Sequence, residues 1–79
     1  MRLDKFLKVS RVIKRRPVAN EACDSGRVII NGKVAKASSE VKVGDIIEIK
    51  FGEKMVKFEV LQINEIANKA SAEGMIKPL

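Results

Sequence analysis

The chain has no histidine, no tryptophan, no tyrosine and a single cysteine among its 79 residues. Without histidine it lacks the commonest general base and the commonest metal ligand. Ser10, Ser25, Ser38, Ser39 and Cys23 therefore have no imidazole to activate them and are read as structural. A lone cysteine excludes an intramolecular disulfide and suits a reducing cytosol. The apolar runs are too short to span a bilayer, and no signal-peptide core follows the basic N-terminus. Glycine-rich phosphate loops and metal-ligand spacings are missing as well. A chain of this length suffices for a small core but not for a separate catalytic pocket beside it. The expectation is a single cytoplasmic domain with no catalytic residue, no cofactor, no metal and no membrane contact.

What the chain has is positive charge. Sixteen Lys and Arg face ten Asp and Glu, for a net +6, and the isoelectric point is near 9.8. Arg2, Lys5, Lys8, Arg11, Lys14, Arg15 and Arg16 are opposed within the first 16 residues only by Asp4, so this segment alone carries the whole +6. A cationic cluster of this density points to a polyanion, because neutralising phosphates releases condensed counterions.

Leu3, Phe6, Leu7 and Ile13, with small Ser10, recur at helical spacing and predict an amphipathic helix ending near Arg15. At about 100° per residue, Lys5, Lys8, Arg11 and Arg15 fall opposite that stripe. Val9 and Val12 fall on its flank, where a second helix is expected to pack. Pro17 suits the first turn of that second helix, which runs to about Ser25, buries Val18, Ala19, Ala22 and Cys23, and ends at a left-handed Gly26.

The period then changes. Residues 27–30 and 33–36 flank Asn31-Gly32, the pattern of a type I′ hairpin. A polar connection over 37–43 leads through Gly44-Asp45 into a strand at 46–51. Gly52-Glu53 turns it into a further strand from Lys54 to about Ile63. A two-residue loop pairs Phe51 with Lys54, and hence Ile49 with Val56, Glu48 with Lys57 and Ile47 with Phe58. Residues 65–79 read as a short helix followed by a frayed tail.

Two roles are open to Asp4. It caps the first helix, the reading the residues favour, since carboxylates stabilise helix starts by about 0.3–1 kcal/mol; or it pairs with a neighbouring arginine and fixes its pose; or it does both. Arg15 and Arg16 can grip phosphate oxygens bidentately, and Arg27 and Lys33 extend the cationic surface if the first hairpin lies beside the helices. Of three phenylalanines, Phe6 and Phe58 occupy core positions and Phe51 ends a strand, so base-stacking platforms are scarce. Recognition is expected to rest on backbone and shape.

Arg2-Leu3-Asp4-Lys5-Phe6-Leu7, then Ser10, Ile13-Lys14-Arg15-Arg16, Gly26-Arg27-Val28, Ile30-Asn31-Gly32-Lys33 and Gly44-Asp45-Ile46 follow one another in the order seen in the S-four-type RNA-binding domain, which the first 50 residues resemble. The resemblance implies an α+β fold of the αL type: a two-helix hairpin on a small curved, mostly antiparallel sheet. The domain covers 1–64, with a C-terminal helix or tail over 65–79. By position it places RNA contacts on Arg2, Lys5, Ser10, Lys14, Arg15, Arg16, Arg27 and Lys33. Arg11 joins them from the cationic arc, with Asp4 orienting and Asn31 and Gly32 shaping the turn. Pro17 departs from the family pattern, where many members have a Ser or Thr helix cap.

Within the family, the Lys14-Arg15-Arg16 run and a short tail without a long basic extension are similar to the ribosome-associated quality-control relatives of heat-shock protein fifteen. That likeness implies a monomer off the ribosome that binds large subunits obstructed by peptidyl-tRNA. It implies contacts with ribosomal RNA and tRNA, and support for a partner, RqcH, that adds C-terminal alanine tails. The alternatives are a ribosome-assembly or RNA-delivery module for free structured RNA, and a basic protein-interaction domain.

Overall fold

The two tight turns predicted from Asn31-Gly32 and Gly52-Glu53 organise the sheet. In the computed structural model, which describes residues 1–64, 72 and 74–79, helices α1 (Leu3–Val9) and α2 (Arg16–Asp24) precede five strands. These are β1 (Val28–Ile30), β2 (Lys33–Val34), β3 (Ile46–Phe51), β4 (Lys54–Val60) and β5 (Ile76–Pro78). They form one antiparallel sheet in the order β2-β1-β3-β4-β5. The fold is α+β.

Asn31 and Gly32 take φ of 51° and 84°, the paired left-handed geometry of a type I′ turn. The Asn31 side chain does a second job. Its Oδ1 accepts from the Ile46 amide at 2.9 Å and its Nδ2 donates to Asp45 Oδ1 at 3.0 Å, so the residue that turns the first hairpin also sets the entry to β3. The β3–β4 register is the expected one, Phe51 opposite Lys54 through Ile47 opposite Phe58. Leu3, Phe6 and Leu7 of α1 and Ala19, Ala22 and Cys23 of α2 pack with Val28, Ile47, Ile49, Phe58 and Val60 in one core. Val9 and Val12 are half-buried against it.

Several expectations are corrected. The first helix stops at Val9 instead of running to Arg15, because Arg11 adopts a left-handed φ of 62° and reverses the chain. The reversal lets the Ile13 amide donate to the Leu7 carbonyl at 3.1 Å and carries Ile13 into the core, a position it reaches without another helical turn. In α2, Val18 is 47% exposed, not buried; the helix turns only the stripe of Ala19, Ala22 and Cys23 inward. β4 ends at Val60 rather than Ile63, since the Leu61 and Gln62 amides both donate to the Met75 carbonyl. That contact belongs to the largest correction. The C-terminal residues do not fray: Ile76–Pro78 pair with Phe58–Val60 as β5. The short helix expected after Asn64 falls mostly on 65–71 and 73, outside the described residues.

The polar connection over 37–43 has an unforeseen role. Its Ala37 and Val41 are buried, and its carbonyls meet the start of α1. Leu3 donates to Ser39 at 2.7 Å and Asp4 to Ala37 at 3.2 Å, which satisfies two amides that every helix start leaves orphaned.

Met75 is 0% exposed, and Met75→Ala is expected to lower the unfolding free energy by about 2–5 kcal/mol. A residue in a frayed tail would move a denaturant midpoint by no more than about 0.5 kcal/mol equivalent.

Candidate nucleic-acid interface

The cations of the first 16 residues do not form one stripe. They sort into groups, and the first is built around Asp4. This carboxylate is 2% exposed, yet its residue is not the helix cap: Arg2 holds that position, without a side-chain cap bond. Asp4 Oδ1 accepts from the Lys5 amide at 2.8 Å, so it quenches a third first-turn donor from inside the helix. Arg2 Nε lies 3.3 Å from Oδ1, and Arg16 Nε lies 3.4 Å from Oδ2. The Asn20 amide donates to Oδ2 at 3.3 Å. Of the two roles open to Asp4, the pairing role is the one the geometry carries, and it takes in two arginines from separate segments.

Each arginine reaches Asp4 through Nε, and no hydrogen bond engages its terminal amino fork among the described residues. Both side chains remain about half exposed. The carboxylate thus orients two forks outward, which is the geometry that bidentate phosphate binding needs. Burial drives the Asp4 pKa upward, but the Asn20 amide, the Lys5 backbone N–H, Arg16 and Arg2 together outweigh it and hold the group below the usual carboxylate value.

A second group forms where α1 ends. Lys8, Arg11 and Lys14 line one open depression. Arg15, the cap residue of α2, is exposed between the two groups in sequence. Arg27 lies apart from both, in a cleft with Ser25, Gly26, Lys50 and Gly52. Lys33 is exposed at the start of β2, and Lys5 is half-buried. Ser10 is 5% exposed and its Oγ donates to the Leu7 carbonyl at 3.4 Å. Asn31 and Gly32 shape the hairpin as expected.

Asn20, Lys8 and Lys50 stand in these groups without having been expected there from the sequence. Asn20 carried a signal, since it stands one helical turn beyond Arg16. Lys8 lay on the cationic arc. Lys50 had none, because its cleft arises only where β3 passes the loop after α2.

The S4 domain matches residues 1–47. The chain belongs to the S4 domain family. A Bacillus subtilis protein named RQC P-site tRNA stabilizing factor is 53% identical over 75 residues, covering 95% of this chain and 87% of its own. A Streptococcus pneumoniae protein of the same name is 52% identical over 75 residues, covering 95% and 85%. The trimeric structure of Vibrio cholerae heat shock protein 15 superposes with a TM-score of 0.91 at 29% identity, over 100% of this chain and 81% of that one. This S4 fold therefore holds its two helices on the same scaffold as a solved family member.

Cys23 lies within that scaffold. Burial, then the charges of Asp4 and Asp24, push its thiol up to about 11, so it packs as a small apolar residue and is a poor nucleophile at neutral pH.

Asp4 remains ionised in the folded chain where an unfolded carboxyl takes up a proton. Its contribution to stability is therefore present above the unfolded pKa and is lost as pH falls through the folded one. Asp4→Asn is expected to flatten the acid limb of a stability profile recorded between about pH 6 and pH 2. An unchanged acid limb would show that the carboxylate is not stabilising in its ionised form.

Proposed function

We propose that the chain is a non-catalytic RNA-binding factor of bacterial ribosome-associated quality control, acting in the cytoplasm on obstructed large ribosomal subunits. It binds ribosomal RNA and the P-site peptidyl-tRNA, and supports RqcH while C-terminal alanine tails are added to the stalled chain. The observation that carries the reading is the pair of arginine forks, Arg2 and Arg16, held outward by one buried carboxylate in a segment that contains the entire net charge. The name shared by the two relatives over 95% of this chain supports the tRNA and the P site as the setting.

The reading is one of charge and shape. Phe6 and Phe58 are buried and only Phe51 is partly exposed, so aromatic stacking on bases has almost nothing to work with. Phosphates are the groups that arginine forks and lysines recognise.

Sucrose-gradient sedimentation, with RNA extracted from each fraction, tests the setting. Co-migration with large subunits that carry tRNA is expected. Migration with assembly precursors would favour the assembly alternative, and recovery only in free-protein fractions at low salt would refute both. Arg16→Ala is expected to weaken the association about tenfold and to lower the thermal midpoint by several degrees while the chain still folds, because it removes one of the partners that solvate the buried Asp4 carboxylate and leaves Arg2, Asn20 and the Lys5 amide in place. Affinity is expected to fall by about 0.7–0.9 decades per decade of salt for each phosphate neutralised.

A further inference from the structure

We propose that Lys8, Arg11 and Lys14 form a grip for a single phosphodiester phosphate at the C-terminal end of α1, and that the backbone strain at Arg11 is maintained for this grip. The proposal rests on the RNA-binding reading and adds to it a defined pocket, a defined ligand group and a residue whose role in binding opposes its role in folding.

The three side chains line a half-open depression of about 360 Å³. Among the described residues, none of them is in ion-pair contact with a carboxylate; the three ion pairs present are Arg2–Asp4, Arg16–Asp4 and Lys57–Glu48. Three like charges around one hollow repel one another, and an anion in the hollow relieves that repulsion. Cations are also favoured near helix C-termini, where they meet unpaired carbonyls. Here that explanation has little left to act on. The carbonyls of Phe6, Leu7 and Lys8 already accept from the amides of Ser10, Ile13 and Arg11.

The two helix ends of this one chain bear on the grip more directly. Both close in the same way. Ser10 and Ser25 are the C-caps, and each hydroxyl donates to the carbonyl three residues earlier, at Leu7 and Ala22. The next residue then turns left-handed and returns its amide to a carbonyl three residues back: Arg11 to Lys8 and Gly26 to Cys23, both at 3.1 Å. At the end of α2 that residue is Gly26, with φ of 79°; at the end of α1 it is Arg11, with φ of 62°. Glycine takes this conformation without penalty, whereas a side chain with a Cβ pays a steric cost. The fold asks the same of both positions, and only position 11 carries a side chain. That side chain is a cation and it lines the three-cation hollow. The strain is thus explained by what Arg11 presents, not by how it folds.

Arg11→Gly tests this because stability and affinity are expected to move in opposite directions. Its thermal midpoint is expected to rise by about 2–5 °C, while its Kd for large ribosomal subunits carrying a P-site tRNA rises about fivefold to tenfold. Arg11→Ala is expected to lose affinity to the same extent with no gain in midpoint, because alanine keeps the strain. A glycine variant that retains full affinity, or one that melts lower than the parent, overturns the proposal.

The salt dependence of binding tests whether there is one phosphate. The combined variant Lys8→Gln, Arg11→Gly, Lys14→Gln is expected to lose about 0.7–0.9 from the slope of log affinity against log salt, the share of one phosphate. A loss near three times that value would assign the side chains to separate phosphates and overturn the single grip. Arg16→Ala, measured alongside, keeps the two levels apart. If it weakens binding and Arg11→Gly does not, the grip fails and the RNA reading stands; if neither weakens binding, both fail.

Discussion

A single buried carboxylate, Asp4, ties the start of α1 to α2 and to two arginines. Removing a charge from water costs several kcal/mol unless partners replace the lost solvation, and here the partners come from two parts of the chain: the Lys5 amide and the Arg2 guanidinium at the start of α1, and the Arg16 guanidinium and the Asn20 amide in α2. The same residue ties into the loop before β3, since its backbone amide donates to the Ala37 carbonyl while the Ala37 amide donates to Asp24 at the end of α2. One side chain therefore sets the start of α1, its alignment with α2 and the direction of two arginines. Solvating the charge and aiming the arginines are the same set of bonds.

That economy divides the work of the cations. Net charge acts at long range and draws a polyanion toward the domain, whereas position decides which phosphates are held. Arg2 and Arg16 are aimed by a carboxylate, Lys8, Arg11 and Lys14 by a chain reversal, and Arg27 and Lys50 by the meeting of a loop with a strand. The groups differ in what fixes them, so they respond differently to substitution: the first through a buried charge, the second through backbone strain.

How much of this was legible in the sequence follows the range of the forces involved. The β3–β4 register was readable because a two-residue turn and a period-two pattern are local and agree with each other. The end of α1 was not, because Ile13 fits a continuing helical stripe as well as it fits a reversal, and nothing in Ser10-Arg11 announces a left-handed residue as Ser25-Gly26 does. β5 was hidden because Met75, Ile76 and Pro78 are placed by bonds to β4 and to Leu61 and Gln62 just after it, more than a dozen residues away. Asp4 was legible in kind but not in reach: a partner arginine was foreseen, while the second arginine and Asn20 depended on how the two helices pack.

The shortness of α1 has a consequence of its own. At seven residues it is well below the roughly 12–15 residues at which an isolated helix becomes marginally stable in water, and its first amides are satisfied by Ser39 and Ala37 from the connection between β2 and β3. A free peptide of residues 1–16 would carry all the net charge and none of the arrangement. The cationic surface exists only as part of the finished domain, so a ligand that recognises the arrangement draws the chain toward its native state by mass action, by RT ln(1 + [L]/Kd). The polyanion is in this sense the last component of the fold.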